Sequence, residues 1–259
     1  MHNVFVYVFY PMDVVTSLPT TYPTMIQIDG QFMGFMNLFY GLYQTRPNFL
    51  WHGYWAQALA YYPHMITKYA IKQVLEGIFA ASSWCDEVAN HVGMFVAYPL
   101  KLAGNRMIFD MAFNGTLKYS SIAEYFAITL KDGGVGLLFT GCLLEKGVYV
   151  LTSIMYKKIN EMLKQQQASF TARWVKATIL YGCSEILLFP AMVIRYNMQL
   201  QAVLSKELYS GILDCCAKMY AAGGIAAFYS GLGFSLALMP LLVLVLVASN
   251  RYDSKVKTE

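Results

Sequence analysis

Long apolar stretches alternate with short polar breaks along most of this chain. A helix needs about 17–25 predominantly apolar residues to cross a bilayer. Stretches of roughly this length lie at 53–70, 84–102, 141–155, 174–194 and 231–248, and a shorter one, 4–18, is interrupted by Pro11. Several of them hold a Pro or a polar residue, which a membrane helix tolerates where neighbouring helices satisfy the freed backbone groups. The pattern therefore predicts a packed bundle of membrane helices.

The composition agrees with a membrane protein and argues against several other classes. The chain is 57% hydrophobic and 13% charged, whereas soluble domains average roughly 45–50% apolar and about 25% charged residues. The net charge of +4 comes from scattered Lys and Arg residues, so we expect no nucleic-acid partner. No nucleotide-binding loop or nucleophile motif is present, and the histidines show no metal-ligand spacing. We therefore expect no enzyme activity, no catalytic residues and no metal site.

A repeat of about 90 residues organises the chain. An aromatic residue followed by Pro occurs three times, at Pro11, Pro99 and Pro190, which are 88 and 91 residues apart. Each Pro is followed 41 or 42 residues later by the glycine of an aromatic-x-Gly motif, at 51–53, 139–141 and 229–231. Each of these glycines opens a new apolar stretch. The spacing predicts a single domain over 1–259 made of three repeats, 1–77, 78–167 and 168–259.

The second and third repeats also share a short amphipathic segment, at 119–134 and 209–224. Ser120 and Ser210 are the predicted N-caps, and the Gly pairs near the ends of both segments are the predicted helix stops. An amphipathic helix of this kind lies along a membrane surface. Each unit is therefore predicted as membrane helix, surface helix, membrane helix.

These marks resemble the mitochondrial carrier family, most closely its ADP/ATP-carrier branch. The family pattern is P-x-[DE]-x-x-[KR] followed by [DE]-G-x-x-x-x-[aromatic]-[KR]-G, three times over. The passage from Tyr209 to Gly231 resembles the third repeat, and 51–63 resembles the first. The resemblance implies an all-α membrane protein with six tilted transmembrane helices in three pseudo-symmetric repeats and short surface helices. It further implies a multi-pass protein of the mitochondrial inner membrane, with a first helix shortened to about half the hydrocarbon thickness because few residues precede Pro11.

The family closes its matrix side with a ring of ion pairs between the acid two residues after each Pro and the base five residues after the next Pro. Two of the three pairs, Asp13 with Gly104 and Met192 with Thr16, lack a charge, and the third, Lys101 with Arg195, is like-charged. The resemblance therefore implies a degenerate matrix gate with no intact ion pair, at Pro11, Asp13, Thr16, Pro99, Lys101, Gly104, Pro190, Met192 and Arg195.

The positions that would contact a substrate are also substituted. Where nucleotide carriers place an Arg before Tyr-Phe-Pro, this chain has Ala60. The equivalent turns of the other even-numbered helices hold Val148, Tyr149, Leu238 and Met239. Anionic metabolites need cationic donors, so these positions predict an apolar cavity with degenerate substrate contacts.

Lipid contacts are the family property that the aromatic-x-Gly motifs retain. The first N–H groups of a helix, with the positive end of its dipole, hold a phosphate, and in the family cardiolipin sits there. We expect bound cardiolipin or another phospholipid at Trp51, His52, Gly53, Phe139, Thr140, Gly141, Tyr229, Ser230 and Gly231.

Two functions remain open at this point. The loss of gate and substrate residues favours a non-transporting structural or accessory subunit of a larger inner-membrane assembly, such as a respiratory-chain complex. Its partners would be membrane lipids and other subunits of that complex. The alternative is a functional mitochondrial metabolite transporter with an unusual gate and an unknown substrate.

Overall fold

A computed structural model describes residues 43–44, 51–79, 83–113, 117–164, 169–200 and 209–256. Within these ranges the chain is helical, which confirms the predicted all-α class. The helices are α1 (Tyr54–Phe79), α2 (Ser83–Phe113), α3 (Ile122–Gly133), α4 (Cys142–Lys164), α5 (Phe170–Leu200), α6 (Ile212–Gly223) and α7 (Leu232–Val256). The predicted first helix, with Pro11, Asp13 and Thr16, lies outside the described residues.

The second and third repeats have the same order of elements. In each, a 31-residue helix with an internal Pro is followed by a 12-residue helix, a 3₁₀ turn and a long helix. Each apolar stretch predicted to cross the membrane after residue 50 falls on one of the five long helices, apart from the glycine that precedes α1, α4 or α7. Two segments, Val135–Leu163 and Phe170–Gln199, are long and apolar enough to cross a membrane on length and composition alone.

The short helices α3 and α6 confirm the two predicted amphipathic segments, but their N-caps lie one residue later than predicted. The hydroxyl of Ser121 caps α3 by accepting a hydrogen bond from the N–H of Glu124, and Gly211 precedes α6 without a side-chain cap. Ser120 instead donates through its hydroxyl and its N–H to the carboxylate of Glu124. The predicted glycine stops are confirmed, since Gly134 and Gly224 end the helices with positive φ angles.

The aromatic-x-Gly motifs share one backbone conformation in all three repeats. Gly53, Gly141 and Gly231 have φ angles of 85°, 76° and 88°, in the left-handed region that favours glycine. The carbonyl of each accepts a hydrogen bond from the N–H four residues later, which opens α1, α4 and α7. The spacing of the motif in the sequence thus corresponds to a recurrent turn in the fold.

Helices α1 and α2 pack very closely because α2 presents glycines to α1. A Cβ atom at Gly93 would lie 2.6 Å from the carbonyl oxygen of His64, and one at Gly104 would lie 2.5 Å from Cγ of Gln57. Small residues of this kind let membrane helices approach to backbone contact. Both positions are therefore restricted to glycine by the packing of α1 against α2.

Three apolar clusters hold the remaining elements together. One joins α1 and α2 to α3 around Phe109 and Tyr125, and its counterpart in the third repeat joins α5 to α6 around Phe189 and Met219. The third joins α4, α5 and α7 around Tyr181 and Val243. Helices α2, α4 and α5 also contact one another, and the space between them holds the charged residues described below.

Candidate functional site: a charged cluster and cavity between α2, α4 and α5

A buried glutamate lies between two basic residues at the meeting point of three helices. The Lys101 ammonium of α2 lies 2.7 Å from Oε1 of Glu145 on α4. A guanidinium nitrogen of Arg195 on α5 lies 3.9 Å from Oε2 of the same carboxylate. The side chain of Glu145 is only 4% exposed. Since a charge inside a membrane protein is costly unless it is paired, the two cations stabilise Glu145 and it stabilises them.

The local sequence brings these three side chains together. Lys101 follows Pro99 by two residues, and Arg195 follows Pro190 by five, so both lie near equivalent proline turns of two repeats. Glu145 lies in the first turn of α4, with its N–H bonded 3.0 Å from the carbonyl of Gly141. The left-handed Gly141 therefore determines where α4 begins and how its first acidic residue meets α2 and α5.

A chain of buried side-chain amides extends the cluster to α1. Nε2 of Gln199 donates to Oε2 of Glu145 and to the hydroxyl of Tyr98, each at 3.2 Å. Asn105 donates to Oε1 of Gln199 at 3.0 Å, and Gln57 on α1 donates to Oδ1 of Asn105 at 2.8 Å. Hydrogen-bonded amides and ions thus connect four of the long helices at one level of the bundle.

The structure adds to the described gate positions a counter-charge that lies outside the predicted gate. Lys101 and Arg195, predicted as an unrelieved like-charged pair, share the counter-charge of Glu145. The other two predicted pairs, Asp13 with Gly104 and Met192 with Thr16, still lack a charge. Gly104 lacks room for a base because α1 packs against it, and Met192 lines the cavity between α4 and α5.

A cavity of about 180 Å³ opens beside the cluster. It is lined by Met94, Lys101, Glu145, Val148, Tyr149, Thr152, Tyr156, Ser184, Glu185, Leu188, Met192 and Arg195. The prediction of an apolar cavity is therefore wrong for this part of the bundle, because four of the lining residues are charged. Val148 and Tyr149 are the predicted substrate positions that line it.

The remaining predicted substrate positions lie elsewhere. Ala60 is buried on α1, and Met239 packs on α7 with Tyr181 in the cluster that joins α4, α5 and α7. Leu238, its neighbour on α7, is half-buried. The structure does not bring these three residues to the described cavity.

The end of the cavity away from Arg195 carries a second glutamate. Glu185 lies ten residues before Arg195 on α5, and its Oε1 accepts a hydrogen bond of 3.0 Å from the hydroxyl of Ser235 on α7. Tyr149, on the α4 wall, accepts a hydrogen bond of 2.9 Å from Nδ2 of Asn90 on α2. Polar groups of α2, α4 and α5 therefore line the cavity, and Ser235 of α7 hydrogen-bonds to one of them.

A separate layer of ion pairs joins the helices at the ends opposite to Gly53 and Gly141. Asp86 at the start of α2 lies 3.2 Å from Lys68 and 3.1 Å from Lys72, both on α1. Glu87, the next residue, pairs with Lys157 on α4. Charged contacts thus occur near both ends of the described bundle.

The predicted lipid positions lie at the starts of α1, α4 and α7. Phe139 stacks on Phe95 with ring centroids 4.9 Å apart, and the carbonyl of Thr140 accepts a hydrogen bond of 2.6 Å from the hydroxyl of Tyr98. Trp51 packs edge-on against Tyr54. The corresponding aromatic of the third repeat, Tyr229, is 37% exposed. These contacts orient the turns while the first N–H groups of each helix have no intrahelical acceptor.

Glu145 and Glu185 lie outside the positions that the family pattern marks. A signal for both was present in the sequence, since each is an acid within a stretch otherwise long and apolar enough to cross a membrane. Such residues mark functional positions by default. The partner of each, however, comes from a different helix, and only the fold brings them together.

The repeated helical unit and the proline-containing helices are the features that this chain shares with the carrier pattern. The sequence model of the mitochondrial carrier protein family matches residues 166–251, the third repeat. The chain is 22% identical to a probable ADP,ATP carrier protein of Arabidopsis thaliana over 203 residues, which cover 70% of this chain and 62% of that protein. It is 26% identical to human ADP/ATP translocase 4 over 205 residues, covering 70% and 64%.

A third relative is the mitochondrial substrate carrier family protein ancA of Dictyostelium discoideum, 23% identical over 229 residues, 80% of this chain and 74% of that protein. The chain is therefore similar to the mitochondrial carrier family, through the family model over its third repeat and through these relatives over a longer part of its length. The matched region spans less than two thirds of the length of the Arabidopsis and human relatives.

Proposed function

We propose that this chain is a multi-pass carrier of the mitochondrial inner membrane that moves a small solute and closes one side with an unusual gate. The observation that carries the proposal is the position of Glu145 between Lys101 and Arg195. It joins α2 and α5, the proline-containing helices of the second and third repeats, where the family pattern has an acid and a base. In this chain the acid lies on α4 and not on α2, where the family pattern has it.

An ion pair of this kind suits a gate because its two states differ in contacts. When closed, the carboxylate is desolvated between two cations. When open, water would solvate all three charges. The desolvation cost and the Coulomb attraction of buried ions are large and opposed, so the two states can lie within a few kcal/mol of each other. A gate closed only by apolar contacts would gain no hydration of charges when it opens, so nothing would offset the loss of those contacts.

The relatives named as ADP/ATP carriers suggest a nucleotide, but the cavity argues against one. Its volume of about 180 Å³ lies below the roughly 300–1,000 Å³ of typical small-molecule and cofactor sites. Its two cations already share Glu145, which leaves one net positive charge at that end for a polyphosphate. A smaller solute with less charge fits the described residues better.

The test is uptake by purified protein in liposomes that contain cardiolipin. A panel of labelled nucleotides, carboxylates and amino acids is offered, with protein-free liposomes as the control. We expect saturable uptake, stimulated by internal unlabelled solute, of at least one small member of the panel and not of ADP or ATP. Absence of protein-dependent uptake for every member would overturn the proposal.

The second candidate is a non-transporting structural subunit of an inner-membrane assembly such as a respiratory-chain complex. The observation that favours it is the buried amide chain from Gln57 through Asn105 to Gln199, which restrains four helices that a carrier must move apart. Native gel electrophoresis of mild-detergent extracts separates the two candidates. Stoichiometric co-migration with a large complex, together with failed uptake, would favour the structural subunit; migration as a small protein would exclude it.

Phospholipid is the bound molecule that we propose for either candidate. The support is the repeated left-handed turn at Gly53, Gly141 and Gly231, each of which leaves the N–H groups of a membrane helix open to a phosphate. Native mass spectrometry of purified protein should detect retained phospholipid, with cardiolipin preferred over singly charged lipids. An experimental density map with no lipid phosphate at any of the three turns would contradict this.

A further inference from the structure

The cavity between α2, α4 and α5 has opposite charges at its two ends. One end holds Lys101 and Arg195, which share the carboxylate of Glu145 and leave one positive charge in excess. The other end holds Glu185. Glu185 and Arg195 are ten residues apart on one helix, so their backbones are separated by about 15 Å along the axis. The cavity is therefore dipolar along α5.

Glu185 is the charged residue of the cavity that takes no part in the proposed gate. It is half-buried, and the partner that the structure gives it is the hydroxyl of Ser235 on α7. Its carboxylate forms no ion pair with a described lysine or arginine, and the cation that acts on it electrostatically is Arg195. An acid in the interior of a membrane bundle is costly unless a cation or water compensates it. The carboxylate is thus available to a cationic group that enters the cavity.

The opposite end has unused donors. Nε of Arg195 is buried and has no acceptor among the described residues, although the same guanidinium reaches Glu145. Lys101 remains 42% exposed beside the cavity while it pairs with Glu145. A ligand carboxylate placed here would accept hydrogen bonds from both cations, and charge-assisted bonds of this type are the strongest that proteins make.

We propose that the cavity binds a small zwitterion, with its anionic group at Lys101 and Arg195 and its cationic group at Glu185. As a substrate class the proposal rests on the transport function argued above, whereas the binding itself does not. A simple anion would leave Glu185 uncompensated, and a simple cation would leave the donors of Arg195 unused. The volume of about 180 Å³ admits a short linear molecule better than a nucleotide.

The test is thermal stabilisation of purified protein by three probes of matched length. These are 6-aminohexanoate, which carries both charges, hexanoate, which carries the negative one, and hexylamine, which carries the positive one. A ligand that binds only the folded state raises the unfolding midpoint. We expect a saturable rise with 6-aminohexanoate that is clearly larger than with either single-charge probe. An equal response to all three, or none, would overturn the proposal.

Two variants locate the site. Glu185→Gln should weaken 6-aminohexanoate binding by about 10- to 100-fold, as expected for loss of a charge-assisted hydrogen bond, and should bring its affinity close to that of hexanoate. A defect in folding would not produce this change in selectivity. Glu161→Gln, an exposed glutamate on α4 outside the cavity, should bind as the wild type does. Unchanged selectivity in Glu185→Gln would contradict the assignment.

Uptake of the same probe separates this inference from the proposed function. Binding of 6-aminohexanoate without uptake into liposomes supports the site and counts against transport. Uptake of another solute, with no binding of the zwitterion, supports transport and overturns the site.

Discussion

The Lys101 ammonium lies 2.7 Å from the Glu145 carboxylate, an acid that the carrier pattern does not mark. Lys101 occupies a position where the pattern has an acid, so the repeat-two charge is inverted. The acid that neutralises it comes instead from the first turn of α4, where it also reaches Arg195. The charge pair between the second and third repeats is therefore relocated, and this makes definite predictions about variants.

Removal of the shared carboxylate should destabilise the protein strongly. Glu145→Gln leaves the buried guanidinium of Arg195 close to the partly exposed ammonium of Lys101 without a counter-charge. Breaking a fully buried pair from one side costs about 3–5 kcal/mol, and solvent screening of Lys101 lowers the cost below that range. We expect a clearly lower unfolding midpoint in detergent, measured against Glu161→Gln as the matched exposed control. A midpoint within a degree or so of that control would mean that the cluster is solvated and not paired.

Placing the acid at position 101, where the family pattern has it, should restore stability to the Glu145→Gln variant. In the double variant Lys101→Glu with Glu145→Gln, the new carboxylate on α2 faces Arg195 in the arrangement of the family pattern. We expect most of the stability lost in Glu145→Gln to return, and Lys101→Glu alone to be destabilised because two acids then meet. Simple addition of the two single-variant losses would contradict the coupling.

The amide bridge to α1 should depend on Gln199. Its side chain is buried and bonds to Asn105, Tyr98 and Glu145. Gln199→Leu leaves buried polar groups without partners, at a cost of about 1–3 kcal/mol for each, so the unfolding midpoint should fall. Gln73→Leu, at an exposed position on α1, controls for the added hydrophobic surface and should change it little.

Adding a Cβ atom at the recurrent glycine turn should destabilise the protein because of the backbone conformation alone. Around Gly141 a Cβ would meet its nearest neighbour at 3.5 Å, an ordinary contact, but the φ angle of 76° is left-handed. Gly141→Ala should therefore cost about 1–2 kcal/mol. Gly147→Ala, in open space within α4, should be neutral or stabilising by about 0.5–1 kcal/mol; reversal of this order would contradict the left-handed turn.

The surface helix α3 should carry part of the acid sensitivity of the fold. The Ser120 hydroxyl and N–H donate to Glu124 and hold the pKa of that carboxyl below its ordinary value of 4.5. Because the folded pKa is depressed, this stabilisation is present above the unfolded pKa and is lost as the pH falls through the folded value. The Glu124→Gln variant should therefore lose less stability than the wild type on acidification below about pH 5. Thermal unfolding across that range tests this, and parallel curves for the two proteins would contradict it.

The sequence was sufficient to predict the helices and their repetition but not the charge network. Apolar length, the three prolines and the aromatic-x-Gly motifs depend on local backbone geometry, and α1, α2, α4, α5 and α7 follow from them. The cap of α3 lies one residue later than predicted because Ser121 accepts from the N–H of Glu124, while Ser120 donates to the Glu124 carboxylate. Which of two adjacent serines becomes the cap depends on how the chain enters the helix, and the sequence pattern does not specify this.

The gate could not be derived from its own positions. Matching Lys101 to Arg195 gives two like charges, and only the meeting of α2, α4 and α5 reveals that Glu145 lies between them. The absence of a base at position 104 also depends on another helix, because Gln57 of α1 packs against Gly104. Contacts between helices that are distant in sequence determine which charges pair here. Hydrophobic periodicity along one helix does not predict such contacts.

The most direct test of a gate centred on Glu145 is the initial rate of uptake into liposomes that contain wild-type protein, Glu145→Gln, or the double variant with Lys101→Glu. We predict saturable uptake by the wild type, a rate lower by about tenfold or more in Glu145→Gln, and recovery in the double variant. Uptake by Glu145→Gln at the wild-type rate, or no uptake by the wild type, would contradict a carrier gated by this carboxylate.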